Sequence, residues 1–122
     1  LLDGALIKNE SAKFISKFVK LKVENNDTPF TCILNKGDNL VMPIAHGYGN
    51  FYHDNPERLE KEKLIVLRYV ENPNGSIHNI SAITNSKKNI LGMMPHPERA
   101  TDAILGSKDG AKIFLSIKKW FE

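Results

Sequence analysis

Residues 17–24 read KFVKLKVE, with Val19, Leu21 and Val23 on one side of a two-residue period and Lys20, Lys22 and Glu24 on the other. That pattern demands a strand with one buried and one wet face, because successive side chains of an extended chain point to opposite sides. FTCIL and NLVMPIA flank NKGD, whose Gly and Asp suit a tight turn, so this stretch reads as a hairpin or two consecutive strands. NLVMPIA is apolar throughout, which predicts burial on both faces. LIVLRYV, ISAIT and ILGMM add further strands, separated by the turn and loop residues of NPNGS and NSKKN. Helices are few. DNPERLEKEKL predicts a short one, opened by a cap-like Asp54 or Asn55 and a first-turn proline. DGAKIFLSIKKWFE predicts a longer one, with Ile113, Phe114, Ile117, Trp120 and Phe121 at helical spacing as a core stripe.

Five or six strands for one well-formed helix is an unusual ratio for an α/β domain, since parallel strands need crossover helices. Together with the apolar, loop-like opening LLDGAL, it leads to the expectation that a preceding part carrying several βα units is absent. The 122 residues, 41% hydrophobic, fit one domain with a modest core. The net charge of +3 arises from 17 basic and 14 acidic residues scattered along the chain. No basic block or aromatic-interleaved basic stripe supports nucleic-acid binding. A single cysteine, Cys32, cannot form an internal disulfide, and the spacings of His46, His53, His78 and His96 match no standard metal-ligand pattern. The composition suits a reducing cytoplasm, and no signal sequence or apolar run of membrane-spanning length is present. The sequons at Asn74 and Asn79 are read as chance matches, and His53 and His78 as surface residues.

The chemistry concentrates in GMMPHPERA, residues 92–100. Two prolines flanking His96 exclude a helix interior and bias Met94 and His96 to extended geometry. In an extended segment residues i and i+2 lie on one side, which would bring Glu98 to the His96 imidazole.

LLDGAL, TPFT, PIAHGYGNFY, NPNGS, ILGMMPHPERA and GSKDGAKIF, in this order, resemble the C-terminal half of the glutaminase subunits of phosphoribosylformylglycinamidine synthase, within the class I (triad-type) glutamine amidotransferases. The resemblance covers nearly all of residues 1–122. It implies a flavodoxin-like α/β domain, of which this chain would be the strand-rich C-terminal portion with its terminal helix. It also implies a glutaminase of purine biosynthesis, hydrolysing glutamine to glutamate and ammonia. His96 would be the general base that activates a cysteine thiol, and Glu98 the residue that orients it. In that family the cysteine sits on a G-x-C-x-G elbow, which this sequence lacks. Cys32, in PFTCILN, reads as a small core residue, so the chain alone is expected to be inactive. By the same resemblance Ala45, His46, Gly47 and Tyr48 would contact glutamine, with Gly47 and Gly49 allowing close backbone approach. Tyr48 stands where the family commonly has an acidic residue. The implied partners are a large synthetase subunit, which carries the ATP and magnesium chemistry, and a small bridging subunit. No P-loop, and hence no ATP site, is expected here. The competing expectation is a non-catalytic module that docks on the synthetase or self-associates through a bare sheet edge.

Overall fold

The computed structural model describes residues 2–122. Seven strands, β1 (Ala5–Ile7), β2 (Ile15–Val23), β3 (Asn39–His46), β4 (Asn50–Tyr52), β5 (Ile65–Tyr69), β6 (Ile80–Thr84) and β7 (Leu91–Met93), accompany two α-helices, α1 (Pro56–Lys61) and α2 (Ala111–Trp120). Five strands form one sheet in the order β3-β2-β5-β6-β7, and β1 pairs with β4 in a separate ribbon. Every pairing is antiparallel. The opening residues, expected as a loop, thus contribute a strand, with Leu6 opposite Phe51.

The alternation at residues 17–24 acts as predicted, with Val19, Leu21 and Val23 buried and the intervening lysines exposed. Leu21 faces Leu40 and Val19 faces Met42 across the β2–β3 ladder. The hairpin reading fails in its first arm. FTCIL is a run of turns, in which the Thr28 and Thr31 hydroxyls bond each other and local backbone groups, competing with a ladder. The double burial assigned to NLVMPIA is also corrected, because β3 is an edge strand and its burial alternates, with Leu40, Met42, Ile44 and His46 inside. Double burial belongs to β5 and β6, in the middle of the sheet. Val66, Leu67, Tyr69 and Ala82 join the main core, whereas Ile65, Ile80 and Ile83 join Leu59 of α1 on the other side.

Helix α2 forms where expected but turns a different face inward. Ile113 and Ser116 are buried and Ile117 half-buried, whereas Phe114, Trp120 and Phe121 are exposed, so the predicted core stripe holds at Ile113, in part at Ile117, and fails at its aromatic members. The polar Ser116 hid the true face: its hydroxyl accepts from the Ile33 N–H at 3.4 Å and its carbonyl from the Cys32 thiol at 3.1 Å. His53, expected on the surface, is buried, and its Nδ1 accepts from the Asn55 N–H at 2.9 Å at the start of α1. His78 is exposed as expected.

Candidate active site

The outer edge of β3 pairs with no further strand among the described residues, yet its backbone is bonded at Val41 and Pro43. Asp109 Oδ2 accepts from the Val41 N–H at 2.7 Å, and Ser107 Oγ donates to the Val41 carbonyl at 2.8 Å. Two residues on, the Pro43 carbonyl accepts from the His96 N–H at 2.9 Å. Pro43 has no donor to leave orphaned, which is why proline is tolerated on an edge. Two separate loops therefore occupy the edge, and one of them delivers His96.

His96 is extended, with φ −102° and ψ 94°, and its side chain is 30% exposed. Its Nδ1 lies 3.1 Å from Glu98 Oε2. The expected pairing is present but its geometry differs from the extended reading. A 3-10 turn begins at Pro97 and runs to Arg99, so Glu98 returns to the ring across a tight turn, with Pro97 at the first position, where its missing donor and fixed φ are useful. A carboxylate on Nδ1 assigns that nitrogen its proton and leaves Nε2 as the basic atom.

The second predicted group lies at the end of the same strand. Ala45 is half-buried and His46 buried at the end of β3, while Gly47 and the 63%-exposed Tyr48 form the following turn. Because His96 is bonded to Pro43, the His-Pro-Glu turn and this segment are neighbours. The charge of His96 bears on His46. Gly49 has a use other than close approach of a ligand: the His46 ring fills the space a Cβ there would need.

A set of buried polar side chains behind this turn escaped the sequence reading. Asn9 Nδ2 donates to the carbonyls of Lys13 and His46, both at 2.8 Å, and its Oδ1 accepts from the Gly49 N–H at 2.9 Å. Asn74 Nδ2 donates to the Gly49 carbonyl at 2.8 Å, and Ser76 Oγ donates to Asn74 Oδ1 at 2.6 Å. Asn74 was marked only as a sequon and its segment only as a turn, yet it is 1% exposed. A local signal was available in Asn72, Asn74 and Ser76, the turn-forming residues of NPNGS, but their partner 25 residues away was not.

Cys32 is in a different place chemically. Its thiol is committed to the Ser116 carbonyl, and no hydrogen bond joins it to His96 among the described residues. No group of three or more metal-ligating side chains occurs among the described residues. No helix among them is long and apolar enough to cross a membrane. With an imidazole, a carboxylate on its Nδ1 and an adjacent glycine-rich turn, the arrangement can accept and return a proton at the end of β3.

A family profile described as "CobB/CobQ-like glutamine amidotransferase domain" matches residues 3–121. Among solved structures, the one titled "Structure of PurLQS from Thermotoga maritima" is similar at 46% identity and a TM-score of 0.89. The similarity covers 100% of this chain and 55% of that one, so the chain spans about half of its length.

Proposed function

The chain belongs to the CobB/CobQ-like glutamine amidotransferase family, and from that premise we propose that it supplies the histidine–glutamate part of a glutaminase serving phosphoribosylformylglycinamidine synthase. The observation that carries the reading is the His96–Glu98 contact at 3.1 Å, on a turn tied by its backbone to β3.

In this reading the remaining part of the glutaminase domain carries the nucleophilic cysteine. His96 Nε2 takes the thiol proton, and the sulfur attacks the side-chain amide carbon of glutamine to form a tetrahedral oxyanion. Collapse of that intermediate expels ammonia, which leaves with the proton held on His96. Water then attacks the thioester, with His96 again as base, and releases glutamate and the thiol. Glu98 holds the ring and stabilises the imidazolium without itself taking the proton. Ala45, His46, Gly47 and Tyr48 line the glutamine side. The exposed Tyr48 contributes through its backbone. Ammonia passes to the large synthetase subunit, assembled with a small bridging subunit in the cytoplasm. That partner holds ATP and magnesium and converts formylglycinamide ribonucleotide to its amidine.

The test is a pair of rates in the assembled enzyme, one with glutamine and one with ammonium salts. His96→Ala should lower the glutamine-driven rate by about 10⁴-fold and spare the ammonium-driven one. Glu98→Gln should act in the same direction less severely, because an amide still holds the ring but cannot stabilise its charge. Equal loss of both rates in a folded, assembled His96→Ala protein would refute the assignment. The docking-module reading draws support from exposed apolar side chains such as Phe14, Ile104 and Phe121. It predicts that His96→Ala leaves both rates unchanged.

A further inference from the structure

We infer that Asn74 is a positioning residue of the glutaminase site, which with Asn9 locks His46 as a neutral imidazole protonated on Nδ1 and so holds the turn at residues 47–49. The inference deepens the reading above and rests on it for its kinetic consequence.

The His46 ring is buried, with one polar partner at each nitrogen: Asn9 Oδ1 at 3.1 Å from Nδ1 and Asn74 Nδ2 at 3.3 Å from Nε2. Which end of each amide faces the ring decides the tautomer, and both ends are fixed by backbone groups that cannot change sign. Asn9 must direct its NH₂ at the Lys13 and His46 carbonyls, so its oxygen faces Nδ1 and the Gly49 N–H. Asn74 must direct its oxygen at the Ser76 N–H and Oγ, so its NH₂ faces Nε2 and the Gly49 carbonyl. Nδ1 therefore carries the proton and Nε2 the lone pair. A proton added to Nε2 would point at an N–H and find no acceptor.

Burial also pushes the His46 pKa below its usual value, and the His96 charge adds to the effect. Two further ionisable residues adjoin the network: Glu10, whose N–H donates to the Asn74 carbonyl at 3.0 Å and whose side chain lies against Gly75, and Tyr69, whose hydroxyl is 3.4 Å from Asn74 Nδ2 and which burial pushes up to about 12, so that it too stays neutral.

Two consequences bear on catalysis. The turn is held at the Gly47 carbonyl by the Asn9 N–H at 2.9 Å and at both Gly49 backbone groups by the two asparagines, leaving the Tyr48 side chain free of the network. In addition, a neutral His46 places no positive charge beside His96 when His96 must itself become positive. The coupling between them is reciprocal, so a charged His46 would oppose that step.

The test begins with long-range ¹H–¹⁵N spectra of the labelled 122-residue chain, which read tautomer and charge without any activity. His46 is expected to show a protonated Nδ1 and a bare Nε2 at neutral pH and to take up a second proton only below the ordinary histidine range, since burial lowers its pKa. A protonated Nε2, or an imidazolium already at neutral pH, overturns the inference. Asn74→Asp exchanges the NH₂ facing Nε2 for an acceptor and should convert His46 to the imidazolium. In the assembled enzyme it should lower glutamine-driven kcat by about tenfold or more, because a carboxylate cannot donate to the Gly49 carbonyl and the turn beside His96 shifts. The ammonium-driven rate should be unchanged. An imidazolium with unaltered kcat and KM for glutamine also overturns it. Should Asn74→Asp fail to fold, Ser76→Ala removes the 2.6 Å hydroxyl bond to the Asn74 amide but keeps the residue-76 N–H and the Gly49 carbonyl that fix its orientation, and an unchanged Nδ1–H form of His46 is the expected result. Mixed tautomers in that variant would overturn the argument from amide orientation. Retained glutamine-driven activity in His96→Ala would instead defeat the glutaminase reading and leave the tautomer result standing.

Discussion

Gly110→Ala should destabilise the protein and disturb the proposed active site, although the backbone conformation alone says the opposite. Gly110 has φ −63° and ψ −29°, an ordinary right-handed helical conformation at the start of α2. Alanine adopts it without strain, and replacing glycine there would usually add about 0.4–1 kcal/mol by restricting the unfolded chain. The space decides otherwise. A Cβ at this position would run into the Pro97 carbonyl oxygen and lie 2.8 Å from the Pro97 Cα and carbonyl carbon. Those carbons would have to withdraw by about 0.6 Å to reach the 3.4 Å of ordinary contact. They belong to rigid backbone. The Pro97 carbonyl is aimed at the Ala100 N–H at 3.0 Å, and the preceding His96 N–H is bonded to Pro43, so the turn cannot rotate away without losing a hydrogen bond. Overpacking of this kind costs about 1–3 kcal/mol. After the helix gain is subtracted, the net loss is about 1–2 kcal/mol, readable as a shift of the urea midpoint at constant m. Because the displaced residue adjoins the base, and a misplacement of about an ångström can cost about a hundredfold, the glutamine-driven rate should fall by about ten- to a hundredfold with ammonium-driven synthesis intact. A Gly110→Ala protein as stable as wild type, with its glutamine rate preserved, would refute the claim that α2 is held close for the sake of the His-Pro-Glu turn.

Lys63, at φ 58°, follows α1 in the left-handed position of a helix stop, where the Leu64 N–H returns to the Leu59 carbonyl at 2.9 Å. Lys63→Gly should raise stability by about 0.5–1 kcal/mol in urea titration, since glycine meets no Cβ penalty there. Ile113→Ala, at the buried contact of α2 with the main core, should cost about 2–4 kcal/mol in the same titration. For pH, the folded-state pKa of His46 lies below its unfolded value of 6.5, so the unfolded chain binds the extra proton. That contribution is complete above pH 6.5 and is lost as pH falls towards the folded value, with a slope of at most about 1.4 kcal/mol per pH unit. His46→Gln should remove this dependence from thermal melts between pH 7 and 5, though not the losses at lower pH from Glu60, which its hydrogen bond to Arg68 holds below the usual carboxylate range.

How much of this was legible depended on whether a signal was local. The two-residue period at Val19, Leu21 and Val23, the turn chemistry of NPNGS and the stiff His-Pro-Glu triplet each act over a few residues, and each was read at its true position. The errors share the opposite property. NLVMPIA carries enough apolar residues for a central strand, but whether a strand is central depends on what pairs with its far edge, and that is decided by Ser107, Asp109 and His96, more than fifty residues later. FTCIL has strand-like composition, yet two threonine hydroxyls three residues apart close a turn instead. In α2 the count of apolar residues pointed to Phe114 and Trp120, whereas Ser116 is the residue fully buried, because the facing surface offers it polar backbone.

The asparagines were the costliest omission, and they explain why the site stands where it does. His46 and His96 are fifty residues apart, and each alone admits an ordinary role, a core histidine or an ion pair on a loop. What joins them is β3. Its inward face ends in His46, and its outward edge offers the Pro43 carbonyl to His96. A strand is a rigid ruler of about 3.3 Å per residue. Elements bonded to positions 43 and 46 are consequently fixed relative to each other, and sites built on strands hold geometry better than sites on free loops. Asn9 and Asn74 extend that rigidity past the end of the ladder into the turn. This makes a specific demand on Pro43: because it lacks an N–H, Pro43→Ala adds an unpaired donor to the edge but keeps the carbonyl that holds His96. Glutamine-driven turnover should therefore survive Pro43→Ala, while loss of turnover in a folded Pro43→Ala protein would mean that the rigidity of the ring, and not the strand's carbonyl, positions the base.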